Sequence, residues 1–217
     1  MTRKDVKILE KTTLYEGHFR LHRYCFRHRL FAGGWSDIVT REVFDRGSAV
    51  ALLLYDPTRD AVVLIEQFRL PALLAGRSGW QIEPVAGLAD RRNESEKAVA
   101  RREAQEEAGL RITGELVPVH RILPSTGGLT ELVSIYCARV DSRRADGVHG
   151  NRDEGEDIRV RVLPVREALR LMQSGKIENA HCVVALYWLA ANHARLRRRW
   201  HQPARRKPRL AAKSSRA

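Results

Sequence analysis

Glu103, Glu106 and Glu107 stand in the run Arg102-Glu-Ala-Gln-Glu-Glu-Ala-Gly109. In a helix, positions i, i+3 and i+4 fall within an arc of about 100°, so the three carboxylates project from one side. Like charges at such spacings repel and destabilise a helix. A hard divalent cation reverses the sign, because Mg²⁺ takes one or two carboxylates, keeps some of its waters, and completes its shell with phosphate oxygens. The spacing therefore describes a platform for metal-assisted phosphate chemistry. The plainer reading, a solvated acidic face shared with Arg102 and Gln105, has to be weighed against the segments around it.

Those segments form one unit. Glu-Pro-Val-Ala-Gly87 reads as a strand ending in glycine, Leu88 to Asn93 as a polar loop, and the residues from Glu94 as a helix that Gly109 stops. Asn93 followed by Glu96 has the form of a capping box with Asn as the cap. Gly109 suits the left-handed residue that ends many helices.

The unit resembles the Nudix box, the signature of hydrolases that act on nucleoside diphosphates linked to another moiety. Glu94, Arg102, Glu103, Ala104, Glu106, Glu107, Gly109 and Leu110 fit the box in register. Six residues rather than five separate Gly87 from Glu94; the extra one lies in the loop and leaves the liganding turn unchanged. From about Lys11 to Trp200 the chain is similar to the bacterial ADP-ribose pyrophosphatases. That likeness rests on Thr40 to Gly47, Val63 to Arg69, Gly127-Gly128 with Glu131, Glu154 to Val160, and Gly175 to Asn179.

The resemblance implies a division of labour among residues. Glu103 and Glu107 would ligate the metal, with the backbone carbonyl of Ala86 and the side chain of Glu156. Glu106 would support the cluster, and Arg102 would orient the glutamates. Glu154 would be the catalytic base, carried by the glycine-containing loop Asp141 to Asp157; a loop of that length is more often functional than idle, and closing loops exclude water. Arg69 and Arg41, the latter from a second subunit, would hold the diphosphate and ribose region, since the guanidinium fork binds such oxygens bidentately. Glu131 would contact the terminal ribose, Leu88 would brace the substrate, and adenine would lie near His18 and Phe19. The expected reaction is Mg²⁺-dependent hydrolysis of ADP-ribose to AMP and ribose 5-phosphate, with Mn²⁺ as the alternative ion. The rivals are hydrolysis of another sugar nucleotide, such as ADP-glucose or GDP-mannose, a sensor that binds without cleaving, and an RNA-end pyrophosphohydrolase.

Composition agrees with a cytoplasmic enzyme. No apolar run in the 217 residues reaches the roughly 20 needed to span a bilayer, and Met-Thr-Arg-Lys-Asp leads into no signal core. Cys25, Cys137 and Cys182 lack metal-type spacing and suggest no disulfide framework. The net charge of +13 is concentrated at one end: Arg195 to Ala217 holds ten Lys or Arg and no acid, leaving 29 basic and 26 acidic residues elsewhere. Residues 201–217 read as a disordered basic tail. It is either a solvating segment or a nonspecific contact to RNA or anionic membrane, and no specific nucleic-acid or membrane partner is expected.

The periodicities predict the frame. Alternation in Phe19 to Phe26 suggests half-buried strands, with Ala32-Gly-Gly34 as a turn. Ala49 to Leu54 and Ala61 to Glu66, joined by Asp56 to Asp60, read as strand, turn, strand. Further strands are expected at Trp80 to Val85, Leu132 to Val140 and Ile158 to Pro164, and helices at Val165 to Gln173 and Ala180 to Arg198. The resulting class is α/β: a Nudix α/β/α sandwich with a mixed sheet over 49–200, preceded by a small antiparallel β domain over 1–48. The family likeness implies that this small domain is exchanged in a homodimer. A segment that short makes a poor independent core.

Overall fold

The structure is a computed structural model, and it describes residues 2–151, 153 and 155–201. Glu154, the expected base, and most of the basic tail lie outside the described residues.

Two sheets organise the chain. The first is antiparallel and three-stranded, made of β1 (Val6–Glu16), β2 (Arg20–His28) and β3 (Val39–Asp45) in that order. The second contains β4 (Ser48–Asp56), β5 (Ala61–Phe68), β6 (Trp80–Glu83), β7 (Val85–Leu88), β8 (Leu116–Ile122), β9 (Leu132–Arg139), β10 (Val148–His149) and β11 (Ile158–Pro164). Its spine runs β10-β11-β5-β4-β9-β8. The helices are α1 (Leu70–Leu74), α2 (Glu96–Ala108), α3 (Val165–Gln173) and α4 (Ala180–His201).

β4 is nearly all apolar because both of its faces are covered. Ala49, Ala51, Leu53 and Tyr55 belong to the core shared with α3 and α4, while Val50, Leu52 and Leu54 belong to the core shared with α2. The sheet is thus the middle layer of an α/β/α sandwich. Its strand β4 runs parallel to β9 and antiparallel to β5.

The site originates in a splay between β4 and β5. They pair only at Leu54 to Asp56 against Val63 to Ala61. Beyond that, β7 lines the opening half of β4, Ala49 to Leu52, and β6 lines the closing half of β5, Ile65 to Phe68. The segment predicted as one strand, Trp80 to Val85, is therefore two strands separated at Pro84. Proline brings no N–H to a ladder, and the chain changes partner there.

Three other expectations need correction. Asn93 is not the cap of α2: it has φ 68°, and Ser95 caps the helix by accepting from the Ala98 amide at 3.2 Å. The loop between Asp141 and Asp157 is not wholly irregular, since a 3-10 turn (Ser142–Arg144) and β10 interrupt it. The sequence reading also lacked β8, which contains Pro118 next to a register shift between Pro118 and His120. At the sheet edge a proline's missing N–H faces no partner.

The small sheet meets the large body through β3. The Phe44 amide donates to the Gly128 carbonyl at 2.8 Å, the Thr130 amide to the Phe44 carbonyl at 3.2 Å, and the Thr130 hydroxyl to Asp45 at 2.9 Å. Asp45 also receives Arg20 at 3.4 Å. The Thr130 bond is the main reason its pKa lies below the usual carboxylate value.

Candidate active site

Helix α2 packs on the sheet through Val99, Ala100, Ala104 and Ala108, three of them alanines that let the helix approach closely, and Glu107 points into the same buried face. Its C-terminal end closes at Gly109, φ 64°, where the Gly109 and Leu110 amides take the Gln105 and Ala104 carbonyls. Strand β7, just ahead of the helix in sequence, packs against it. Gly87 lies so close to Glu103 that an added Cβ would stand 1.8 Å from its Oε1 and 2.6 Å from its Cγ. Glycine at this position is a packing requirement of the carboxylate.

Glu107 is only 3% exposed. Its Oε2 accepts the Ala86 amide at 2.9 Å. Burial pushes its pKa up to about 9; the Ala86 amide opposes the rise, and Glu103 and Glu156 add to it. Glu103 is pushed up to about 7, again chiefly by burial, with Arg102 opposing and Glu106 and Glu156 reinforcing. Glu156 sits on the long loop, where its carboxylate accepts the Asn151 amide at 2.9 Å. That loop is fastened to α2: the Gly150 amide reaches the Glu106 carbonyl at 3.4 Å, and a Cβ on Gly109 would stand 2.7 Å from the His149 ring.

Arg102 is the hub of the outer side. It contacts Glu103 at 2.8 Å, Glu106 at 2.9 Å and Glu94 at 3.2 Å. Burial alone would depress its pKa, but these three carboxylates outweigh that and raise it. Glu94 therefore keeps a partner in α2 despite the extra loop residue before it.

A metal ion fits this group by donor chemistry. Glu103, Glu107 and Glu156 supply hard oxygen donors that raise one another's cost of ionisation, a cost that a divalent cation removes. As placed, no three His, Cys, Asp or Glu side chains among the described residues converge to enclose an ion. Glu103 faces Arg102, and Glu107 faces the Ala86 amide.

The remaining expected residues fall into two neighbourhoods. Arg69, the cap residue of α1, forks onto Glu83 Oε2 through Nε at 3.0 Å and a terminal nitrogen at 2.8 Å. Glu83 also receives Asn179 at 3.1 Å and Gln67 at 3.4 Å. Leu88, at the end of β7, is half-buried against the core shared with α3 and α4. Glu131 is buried and 3.6 Å from Arg46. Arg46 lies 5.4 Å over the Phe19 ring, whose other neighbours are His18 at 4.4 Å and Phe44 at 5.2 Å. Within one chain, then, the residues expected at adenine stand beside the residue expected at the terminal ribose. Arg41, on β3, is exposed, donates to its neighbour Thr40's carbonyl at 2.8 Å, and makes no ion pair among the described residues.

Sequence reasoning missed Glu83 and Arg46. Their partners lie 14 and 85 positions away, and only the β5–β6 register and the junction at β3 bring them together.

Comparisons with known proteins place the chain in a family. The NUDIX domain model matches residues 45–185. An ADP-ribose pyrophosphatase of Escherichia coli K12 is 48% identical over 198 residues, 91% of this chain and 94% of that protein. The ADP-ribose pyrophosphatase of Haemophilus influenzae is 41% identical, covering 92% of each chain. A GDP-mannose pyrophosphatase of E. coli is 34% identical over 88% of this chain and 97% of that one. Among solved structures, an ADP compounds hydrolase superposes with TM-score 0.67 at 19% identity over 91% of this chain and 99% of its own, a likeness of fold. With the sandwich, the acidic turn of α2 and the near-full-length identity in agreement, the chain belongs to the NUDIX family.

Proposed function

We propose that the protein is a metal-dependent hydrolase that splits the pyrophosphate bond of ADP-ribose into AMP and ribose 5-phosphate. The observation that carries this reading is the 48% identity to an ADP-ribose pyrophosphatase across 94% of that protein. The 34% match to a GDP-mannose pyrophosphatase makes that substrate the control to beat.

Glu103, Glu107, Glu156 and the Ala86 carbonyl are the residues that would hold Mg²⁺, or Mn²⁺ in its place. Bound there, the ion supplies charge neutralisation on the diphosphate and a lowered pKa for water. The chain's own residues do the rest. Arg102 keeps the outer carboxylates ordered through its three contacts. Arg69, whose fork is fixed by Glu83, presents its free edge to the diphosphate. Glu154 takes the proton from the water that attacks phosphorus in line. Leu88 braces the substrate at the box loop, Glu131 receives the terminal ribose, and His18 with Phe19 borders the adenine.

The working unit in this reading is a homodimer. Arg41 makes no ion pair among the described residues, and β1 leaves all eleven of its residues exposed, Ile8, Leu9 and Tyr15 among them. An exchanged small sheet would cover that strand and deliver Arg41 to the partner's site. The protein is proposed to be cytoplasmic; no helix among the described residues is long and apolar enough to cross a membrane.

The deciding experiment is product analysis with Mg²⁺ against ADP-ribose, ADP-glucose, GDP-mannose and 5′-triphosphorylated RNA. Preferential release of AMP from ADP-ribose is the expected result. Binding of ADP-ribose without cleavage, with the other substrates untouched, would replace the enzyme by a sensor.

A further inference from the structure

Away from the acidic turn, the other end of the large sheet gathers positive charge. β4 pairs with β7 at Ala51 and Ala86, and Asp56 at its far end lies about 17 Å of strand beyond. The β4–β5 turn, the end of β9, the 3-10 turn and the end of α4 meet there. Arg139 closes β9 beside Tyr55 of β4, and the Val140 amide donates to the Tyr55 carbonyl at 3.0 Å. The Ser142 amide and hydroxyl donate to Asp56 at 2.9 and 2.7 Å, and Arg59 donates to the same hydroxyl at 3.4 Å. The last turns of α4 lie over Tyr55, whose ring is 5.9 Å from His193 and 6.1 Å from Trp200, with Leu196 and Trp200 buried.

The acids of these segments are already engaged. Asp56 is buried and also accepts the Thr58 and Arg59 amides, Asp60 takes the Tyr55 hydroxyl and His193, and Asp141 holds Arg143. Glu115, just ahead of β8, holds Arg199. Arg59, Arg139, Arg144, Arg195, Arg197 and Arg198 are all exposed and make no ion pair among the described residues. Six more Lys or Arg follow in residues 202–217, with no Asp or Glu to offset them.

Like charges gathered on packed elements repel one another. A polyanion relieves that repulsion and releases its own counterions as it binds. Every Lys or Arg in the described segments is an arginine, whose planar fork takes phosphate oxygens in pairs. A membrane surface fits less well. None of the exposed large apolar side chains among the described residues belongs to these segments, so they offer nothing to insert below the headgroups.

We propose that this pole is a docking surface for nucleic acid, gripping the phosphodiester backbone without reading sequence, at the end of the sheet remote from the acidic turn. The inference is independent of the ADP-ribose reading, since a strand held here tethers the protein and is not its substrate.

The test is fluorescence anisotropy of a labelled RNA of about 20 nucleotides, titrated with the full chain between about 50 and 200 mM KCl. Affinity should fall at least about tenfold across that range and change little when the sequence is scrambled. Arg139→Gln, Arg144→Gln, Arg195→Gln and Arg198→Gln combined in the full chain should weaken binding at low salt at least about tenfold. The same variant should flatten the log–log salt slope by about 3, because each lost contact to a single strand removes about 0.7. Its melting temperature and ADP-ribose turnover should match the parent. No binding by the parent, an affinity indifferent to salt, or a combined variant that binds like the parent overturns the proposal; the last result would assign the contact to residues 202–217 alone.

Crosslinking the bound RNA to the parent protein needs no substitution. Labelled peptides should contain Arg139 to Arg144 and Arg195 to Arg199, and labels confined to other segments overturn the proposal. Saturating ADP-ribose should leave the RNA in place; displacement would put the strand in the active site and overturn it as well. Vesicles of mixed phosphatidylcholine and phosphatidylserine are the rival polyanion. Tighter binding to them than to the RNA at equal salt would make the pole a membrane contact instead.

Discussion

Gly87 and Glu103 show how narrowly the residue scale is set. A methyl group on Gly87 would occupy the space of the Glu103 carboxylate, and relief is available only by turning that side chain away. Gly87→Ala should therefore leave the protein folded, with a melting temperature within a few degrees of the parent, while turnover of ADP-ribose falls at least about tenfold, equivalent to about 1.4 kcal/mol in the barrier. Steady-state kinetics beside a thermal melt decides it: a parallel loss of stability and activity would mean that the glycine serves packing alone. Glu103→Gln and Glu107→Gln test the carboxylates themselves. Each should lower kcat by orders of magnitude with the fold intact by circular dichroism, because a neutral amide gives up the charge that holds a cation. Near-normal activity in both would remove the metal assignment. The glutamates were legible in the sequence because helical spacing alone puts them on one side. The Arg69–Glu83 clamp was not, because it depends on the pairing of β5 with β6, a long-range register that no local pattern announces.

Elements decide how firmly that turn is held. Helix α2 is tied to β9 and β8 at its start by Glu96, which accepts the Tyr136 hydroxyl at 2.6 Å and Arg121 at 2.8 Å. The Tyr136 bond is the largest cause of Glu96's lowered pKa, with burial opposing it and Ser134 and Arg121 adding to it. A carboxylate depressed on folding contributes stability above its unfolded pKa and loses that contribution as pH falls through the folded one. Tyr136→Phe should accordingly cost about 1 kcal/mol at pH 7, and the difference from the parent should shrink as the pH drops below the usual glutamate value of 4.5. Urea titrations of both proteins at pH 7 and pH 3.5 would show it; a difference that is unchanged or grows on acidification contradicts the assignment. The helices Val165 to Gln173 and Ala180 onward were readable because apolar periodicity and flanking breakers agreed. β8 escaped because Pro118, His120 and Arg121 interrupt its apolar run, which an edge strand tolerates. The cap of α2 was misplaced by two residues because Asn93 and Ser95 are both competent cap types, and only the left-handed turn at Asn93 settles which one serves.

At the scale of the whole molecule, the question is whether one chain makes a complete site. Arg41 makes no ion pair with the acidic turn of α2, whose Glu103 and Glu106 face Arg102, and β1 is exposed along its whole length, so the proposed remedy is a second copy. A two-fold dimer places each Arg41 against the partner's carboxylates by the same operation, and this makes a sharper prediction than mass alone. Arg41→Ala and Glu103→Gln should each inactivate the homodimer. When the two variants are unfolded together and refolded as a mixture, a heterodimer contains one site with both defects and one with neither, since the intact Glu103 of one chain meets the intact Arg41 of the other. With random pairing half of the dimers are mixed and half of their sites are whole, so activity should return to about a quarter of the parent level. If Arg41 served its own chain, every site in the mixture would keep one defect and no activity would return. Light scattering on the same samples distinguishes a failed exchange from a failed hypothesis: dimers that re-form without regaining activity count against the shared site, and a stable monomer of 24.7 kDa in the parent protein removes its premise.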